Sequence, residues 1–483
     1  MNGWRPHSPA SLLAALVAGC AVGPDFEPPA PPMVERYTPG PAPSAATMPA
    51  FDESRPIPAD WWMVFGSADL DALVRAALAG SPTLVQARAR LTQAQELLVA
   101  RRGAAELPQA DAAFGAVRQR IDPATFGFPQ APIPGPFNVF SLGADVSYDF
   151  DLFGATRREL ESLGAEVDVQ RFELDAARLV LTGGVVLTAL RIAELEVREE
   201  ALDAALSAER QQLAIAEGRH AAGAVSLLDL QQQRGELADA EAALPVLRRQ
   251  RAQAQHLLAV LVGRAPADAL PPLPRLADLR PPPEVPLRLP SALARERPDI
   301  RASEALLHKA NALVGVAVAD QYPKFVVSGS FSAAQLALPD LFSNGINVWS
   351  FGLNIVQPLL RGPELQARQR AAEAAHAQAA AAYRASVLHG LQDVADALRA
   401  LEASALVFER RAEQLARADA AWRIVRGRFD AGGASRLDLL DAERRFSQAR
   451  ADWAQAQASR CADVATLLQA LGGGALDATV ALR

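Results

Sequence analysis

Two stretches of the chain alternate apolar and polar residues with the two-residue period of a β-strand. In residues 140–148 apolar side chains occupy every second position, with small or polar side chains between them. Residues 348–355 repeat the pattern, and their apolar face includes Trp349. Such alternation over about ten residues is typical of a transmembrane β-strand, although a soluble hairpin with one buried face would also produce it. Residues 110–117 and 325–333 are weaker candidates for partner strands.

Four long segments show the apolar spacing of α-helices. Residues 155–217 contain no proline, and a continuous helix over them would be about 95 Å long; residues 364–426 are the counterpart. Apolar positions in residues 387–408 follow steps of four and three, which predicts that these helices pack side by side. Two further helices are predicted over residues 227–262 and 436–471. No apolar run after residue 20 is expected to form a transmembrane helix.

One thirteen-residue motif occurs twice. Residues 218–230 and 427–439 lie 209 positions apart and are identical at eight of thirteen positions. A period of this length indicates the duplication of a domain-sized unit rather than a solenoid. The candidate residues of the motif are Gly218, Arg219, Gly223, Ser226 and Asp229 in the first copy and Gly427, Arg428, Gly432, Ser435 and Asp438 in the second.

Each copy of the motif is predicted to form the tip of a helical hairpin. Its second glycine can adopt the left-handed conformation that ends a helix. The serine is a good N-cap for the following helix, and the aspartate three residues later completes a Ser-x-x-Asp capping pattern. We therefore expect each motif to join two long antiparallel helices.

Composition and charge narrow the possible classes of function. The 483-residue chain has a formal net charge of −7, which argues against nucleic acid as a partner. Its six histidines lack metal-ligand spacing, and its two cysteines cannot form a disulfide scaffold. There is no nucleophile elbow, phosphate-binding loop or dinucleotide fingerprint. We predict that the protein is not an enzyme and needs no cofactor or metal.

The first residues resemble a bacterial lipoprotein signal peptide. Residues 16–20 read Leu-Val-Ala-Gly-Cys, which matches the lipobox, and follow an apolar run. Cys20 would become the acylated first residue of the mature chain, and Ala21 after it fits sorting to the outer membrane in that family of signals. An ordinary secretory signal with a chance cysteine nearby is the alternative.

These patterns divide the chain into six parts. They are a signal peptide at 1–19, a lipid-anchored extended segment at 20–58, a first repeat at 59–265, a Pro-rich linker at 266–290, a second repeat at 291–474 and a C-terminal tail at 475–483. Four strands per chain cannot close a barrel, and an open sheet edge is not tolerated in lipid. A membrane-spanning sheet would therefore require several copies of the chain.

The combined features resemble the outer-membrane factor family, the TolC-like exit ducts, and most closely its NodT-like lipoprotein branch. Supporting motifs are residues 21–26 after the cysteine, the Trp61-Trp62 pair, residues 148–154 and residues 470–474. The resemblance covers essentially the whole mature chain. It implies a mainly α-helical fold with a membrane β-barrel, built by a homotrimer with four transmembrane strands per chain and antiparallel coiled-coil helices that form an α-barrel.

The resemblance also implies a function and the residues that serve it. The protein would be a passive outer-membrane channel of a tripartite efflux pump. It would receive small molecules from a periplasmic membrane-fusion adaptor and an inner-membrane resistance-nodulation-division pump. In that family a leucine and an aspartate after the second tip constrict the pore, and Leu437 and Asp441 occupy the matching positions. Arg444 lies where the family uses salt links to hold the coils closed. An exposed Asp441–Arg444 pair on a solvated helix is the alternative.

Two other functions stay open on the sequence alone. A type I secretion duct would have the same architecture, although the lipobox favours efflux. A lipid-anchored periplasmic coiled-coil scaffold would instead cover the apolar face at Trp349 with protein. The three gate candidates correspond to Leu228, Gln232 and Gly235 in the first copy, so the candidate gate falls where the two copies differ.

Overall fold

The structure is a computed structural model that describes residues 22–30, 33–34, 36–39, 48–52, 56–127, 130, 132, 135–287, 289–343 and 346–474. The signal peptide, Cys20 and the C-terminal tail at 475–483 lie outside the described residues. Within those residues the chain forms two compact units. Unit 1 comprises residues 22–29, 91–170 and 303–383, and unit 2 comprises residues 30–90, 171–302 and 384–474. Each unit therefore draws on both repeats.

The elements of the described chain occur in a repeated order. The helices are α1 (Ala68–Gly80), α2 (Pro82–Glu106), α3 (Ala155–Ala221), α4 (Leu227–Leu261), α5 (Pro290–Glu296), α6 (Pro298–Ala319), α7 (Asp340–Ser343), α8 (Gly362–Asp430) and α9 (Arg436–Ala470). The strands are β1 (Ala50–Asp52), β2 (Gln109–Gln119), β3 (Phe137–Phe150), β4 (Glu284–Pro286), β5 (Lys324–Gln335) and β6 (Ile346–Val356). Apart from the short α7, the order α2-β2-β3-α3-α4 recurs as α6-β5-β6-α8-α9.

The sheet of unit 1 contains the four strands that the alternation predicts. Its order is β2-β3-β5-β6, and all neighbours are antiparallel. The register pairs Ala144 with Phe331 and Phe331 with Trp349, so the apolar faces of three strands coincide. On the opposite face the hydroxyls of Ser330 and Ser350 are 2.8 Å apart. One face of the sheet is thus apolar, and β2 and β6 are edge strands within the described chain.

The long helices predicted from the proline-free segments are present. α3 has 67 residues and α8 has 69, so each is about 100 Å long. α4 continues through Pro245, which removes one backbone donor from the helix. The expectation that no apolar run could form a transmembrane helix is wrong for α3 on length and composition. One 18-residue window of α3 has a mean hydropathy of 1.6, but 56 % of that window is buried within the protein.

Unit 2 incorporates segments that the sequence presents only as an extended segment and a linker. β1, from the extended segment, pairs in parallel with β4, from the Pro-rich linker. Leu276, Leu279 and Val285 of the linker are buried. The side-chain amide of Gln457 on α9 donates to the carbonyls of Leu276 and Leu279 at 3.0 and 3.1 Å. The linker is therefore packed into the core of this unit. Burial of its leucine side chains removes apolar surface from water and stabilises this packing, and its prolines do not prevent it.

The three glycines that follow α9 pack against the same core. Gly472, Gly473 and Gly474 all have positive φ. A Cβ added to Gly473 would lie 2.2 Å from a methyl carbon of Leu179 and 3.2 Å from the indole nitrogen of Trp61. Trp61 is itself buried at the start of the short 3₁₀ helix Trp61–Phe65. Glycine is thus required at residue 473 both by the backbone conformation and by the available space.

Candidate functional site at the helical hairpin tips

The second glycine of each motif ends a long helix as the sequence predicts. Gly223 has a φ of 76°, and its N–H donates to the carbonyl of His220 at 2.8 Å. Gly432 has a φ of 75°, and its N–H donates to the carbonyl of Phe429 at 2.9 Å. These bonds satisfy carbonyls that the helix leaves without a partner. Both α3 and α8 therefore stop at a defined residue.

The serine and aspartate of each motif start the next helix. The hydroxyl of Ser226 accepts the N–H of Asp229 at 3.1 Å, and that of Ser435 accepts the N–H of Asp438 at 3.1 Å. At the second tip the box is reciprocal, because the Asp438 carboxylate accepts the backbone N–H of Ser435 at 2.9 Å. The Ser435 hydroxyl and then its backbone N–H hold the pKa of Asp438 below its usual value.

The remaining motif residues have less uniform roles. The carbonyls of Arg219 and Arg428 each accept the backbone N–H five residues later, at 2.8 and 2.7 Å. The guanidinium of Arg428 also donates to the carbonyl of Gly433 at 3.1 Å. Gly218 and Gly427 lie inside helices, and a Cβ at either would meet no atom within 4 Å. Neither backbone conformation nor space requires glycine at these two positions.

The candidate gate residues lie on the first turns of α9. Asp441 accepts from Arg444 at 3.2 Å and from Arg445 at 2.9 Å. All three side chains are substantially exposed, so each pair contributes less than about 1 kcal/mol to stability. Leu437 is half-buried, whereas its counterpart Leu228 at the first tip is exposed. The structure thus brings Asp441 and Arg444 together and adds Arg445, which the sequence analysis does not single out.

Polar side chains of α9 also contact α3, the long helix of the first hairpin. The guanidinium of Arg436, next to the N-cap of α9, donates to the side-chain carbonyl of Gln211. Two turns beyond the gate candidates, Arg450 forms an ion pair with Glu200 at 2.8 Å. The sequence gives no signal for either contact, because the partners are more than 200 residues apart and follow no shared period.

Glu209 of α3 lies between these two contacts. Burial raises the pKa of its carboxyl group; the charge of Arg444 opposes this shift and that of Glu236 adds to it. Within the described residues, the Oε2 of Glu209 has no hydrogen-bond partner. Unit 2 therefore places a partly buried carboxyl group with a raised pKa close enough to the gate candidate Arg444 to feel its charge.

The N-terminal segment that follows the predicted lipidation site is seated on unit 1. The N–H of Val22 donates to the carbonyl of Phe153, just after β3, at 3.1 Å. The buried guanidinium of Arg158 on α3 forms ion pairs with Asp25 at 2.7 Å and with Glu161 at 2.8 Å. We call the contacts of residues 22–26 with Phe153, α3 and α6 the N-terminal seat. It fixes the chain two residues after Cys20.

α6, from the second repeat, supplies the other half of the N-terminal seat. The ring of His308 stacks on Phe26 with centroids 4.3 Å apart, and its Nε2 lies 2.9 Å from Glu161. The buried side chain of Asn311 donates to the carbonyl of Pro24 at 3.0 Å. Burial acts against ionisation of Glu161, but its bonds to Arg158 and His308 outweigh burial, and its pKa is lowered.

Within the part of the chain that the structure describes, no three His, Cys, Asp or Glu side chains are grouped to hold a metal ion. Cys461 of α9 is buried, and burial raises the pKa of its thiol to about 12. A thiol in that state is a poor nucleophile at neutral pH.

A sheet with one exposed apolar face and two long helical hairpins that end in capped tips define the fold of an outer-membrane channel. The solved structure of the outer-membrane channel OprN matches with a TM-score of 0.79 and 27 % identity, over 94 % of this chain and 99 % of that one. The chain belongs to the outer membrane efflux protein family, whose model matches residues 73–264 and 289–473. The resemblance drawn from the sequence is confirmed.

Relatives with assigned roles align over nearly the full length. The pyoverdine export outer membrane protein OpmQ of Pseudomonas aeruginosa is 31 % identical over 418 residues, which are 86 % of this chain and 87 % of OpmQ. Nodulation protein T of Rhizobium leguminosarum bv. viciae is 28 % identical over 472 residues, covering 96 % of this chain and 93 % of that protein. The two ranges matched by the family model include the sheet, both hairpins and both tips.

Proposed function

We propose that the protein is the outer-membrane exit duct of a tripartite efflux pump and conducts small molecules passively to the exterior. The observation that carries this proposal is the exposed apolar face of the sheet. Trp349 and Phe351 of β6 are 74 and 76 % exposed, and Leu353 and Ile355 on the same face are also exposed. Large apolar side chains on every second residue of a strand suit contact with lipid.

Several copies of the chain complete the barrel. The sheet has unpaired edges at β2 and β6, and unpaired backbone groups are costly in a bilayer. Pairing of β6 with β2 of the next copy removes both edges. A homotrimer agrees with the family resemblance, and two copies would provide only the minimum of about eight strands known for single-chain barrels. The serine-bearing face would then line the pore.

The N-terminus adds a second attachment to the outer membrane. Cys20 is acylated in this proposal, and the mature chain extends into the periplasm. The N-terminal seat supports this placement, since it holds Val22 beside Phe153, three residues after the end of β3. Consecutive Cα atoms are about 3.8 Å apart, so the acylated residue would remain within about 8 Å of Val22.

The hairpin tips form the periplasmic entrance and the gate. Leu437, Asp441 and Arg444 narrow and hold this entrance, and the tips dock a periplasmic membrane-fusion adaptor joined to an inner-membrane resistance-nodulation-division pump. The contacts of Arg436 and Arg450 with α3 support this role, because they tie the second hairpin to the first on either side of Asp441. Movement of α9 away from α3 would have to break them.

Two measurements on the purified protein test the proposal. In planar lipid bilayers it should conduct ions, and on a denaturing gel without heating it should migrate as an oligomer that dissociates on boiling. A scaffold with a soluble sheet predicts neither result. A protein that never conducts and migrates as a monomer without heating would overturn the proposal. A type I secretion duct would pass both tests, but a deletion strain would then lose protein secretion and retain its resistance to small toxic molecules.

A further inference from the structure

Leu359 and Leu360 lie between β6 and α8 and are among the most exposed apolar side chains of the described protein. They are 84 and 96 % exposed. Pro358 before them has no backbone donor, so the ladder of β6 cannot continue through this segment. We propose that Leu359 and Leu360 insert into the acyl chains of the outer-membrane leaflet that faces the helices. This inference rests on the proposed function and assigns a non-covalent anchor to the second repeat.

The pair follows the end of the sheet at which aromatic side chains gather. Phe150, Phe325 and Ile355 occupy one row across β3, β5 and β6. Three residues beyond this row, Phe153 and Tyr322 stack with ring centroids 4.6 Å apart. Aromatic side chains with a polar atom, such as tyrosine, collect at membrane interfaces. Leu359 lies four residues beyond Ile355, and so at nearly the same separation along the chain from this row as Phe153 and Tyr322.

The two repeats treat this junction differently. After β3, the carbonyl of Phe153 accepts the N–H of Val22, so the N-terminal segment contacts the junction of the first repeat, where Leu152 is 41 % exposed. The corresponding junction after β6 instead presents Leu359 and Leu360. In the proposed channel the acylated Cys20 would anchor the first junction. Two leucine side chains would supply a comparable apolar group at the second.

The charged neighbours of the pair suit the headgroup region. Arg361 follows the leucines, and Lys324 begins β5 at the same end of the sheet, opposite Val356. Both are exposed, and each is paired with one carboxylate, Glu364 or Asp320. Long basic side chains next to apolar residues extend toward phosphate groups while their stems stay in the apolar layer. A position bathed by bulk water would give the two leucines no favourable contact.

The test uses a spin label on the full-length protein in vesicles of phosphatidylethanolamine and phosphatidylglycerol. A label on Leu360→Cys should collide with lipid-soluble oxygen several-fold more than with a water-soluble nickel chelate. Leu359→Cys should behave alike. Phe351→Cys is the control for a lipid-facing strand residue, and Leu228→Cys at the first tip is the control for water. Unmodified protein measures background labelling, which should be low because Cys461 is buried and Cys20 is acylated in the proposed channel.

The outcomes separate this inference from the proposed function. Oxygen-accessible labels at both Phe351→Cys and Leu360→Cys support the anchor. A Phe351→Cys label in lipid with a Leu360→Cys label in water overturns the anchor and leaves the channel proposal intact. A Leu360→Cys label shielded from both reagents assigns the segment to a neighbouring copy and also overturns the anchor. A Phe351→Cys label in water contradicts the proposed function itself.

Discussion

Gly473 shows how a single residue can be fixed by its surroundings. Its φ of 61° and the 2.2 Å that would separate an added Cβ from Leu179 leave no room for another side chain. The sequence marks residues 470–474 as a motif of the family but gives no physical reason for three consecutive glycines. For Gly473 that reason lies in Trp61 and Leu179, which are far away along the chain and become neighbours only in the folded unit.

The substitution Gly473→Ala should lower the midpoint of thermal unfolding. The left-handed conformation alone costs a non-glycine residue about 1–2 kcal/mol, and the contact with Leu179 adds to that cost. Gly218→Ala is the matched control, because Gly218 lies inside a helix and an added Cβ would meet no atom within 4 Å. Circular dichroism melts of the two variants in the same detergent should differ clearly. Equal midpoints would show that Leu179 and Trp61 can move to accommodate the added Cβ at little cost.

Glu209 leads to a prediction about pH. Burial raises its pKa in the folded protein, so the folded state binds this proton more tightly than the unfolded chain does. Its effect therefore favours folding at low pH and is lost as the pH rises from the usual glutamate value of 4.5 through the raised value. Glu209→Gln removes this dependence. As the pH rises across that window, the melting midpoint of the variant should increase relative to that of the wild type. Parallel curves of midpoint against pH would contradict the assignment.

At the scale of elements, local sequence predicts where strands and helices lie but not which strands pair. The alternation at residues 140–148 and 348–355 locates two strands, and β3 and β6 extend beyond these limits by only a few residues. The capping residues Ser226 and Ser435 fix where two helices start, because an N-cap acts within one turn. Strand order and the parallel pairing of β1 with β4 are absent from the local pattern, since they depend on distant segments.

The two faces of β6 should tolerate charge very differently. Phe351→Lys puts a charge on the apolar face, where lipid contact near the bilayer midplane costs about 2–4 kcal/mol. Asn354→Lys puts the same charge on the face that carries Ser350. We expect the first variant to lose most of the heat-dissociable oligomer in outer-membrane fractions and the second to retain it. Equal loss in both variants would argue against a lipid-facing side.

At the scale of the whole molecule, the candidate gate depends on how the two hairpins are joined. Asp441 and Arg444 can be named from the sequence because they follow a recognisable motif. Their neighbours on α3 cannot, since Gln211, Glu200 and Glu209 belong to the other repeat. The exposed ion pairs of Asp441 contribute little to stability. A gate held by such pairs can open without unfolding.

The substitution Asp441→Ala should raise the conductance of the channel in planar bilayers while leaving its melting midpoint nearly unchanged. It removes the acceptor of both Arg444 and Arg445 and frees the first turns of α9. Gln232→Ala, at the equivalent place after the first tip, is the matched control and should conduct like the wild type. If both variants conduct equally, Asp441 has no special part in gating.

The N-terminal seat carries a consequence for how the gene can change. Deletion of one of the two repeats would leave a chain of about half the length. The seat takes Arg158 and Glu161 from the first repeat and His308 and Asn311 from the second. A chain with one repeat would keep the contacts of either Arg158 and Glu161 or His308 and Asn311. Its N-terminal segment would lose the remaining contacts. Because the two repeats contribute different residues to the seat, neither can replace the other there.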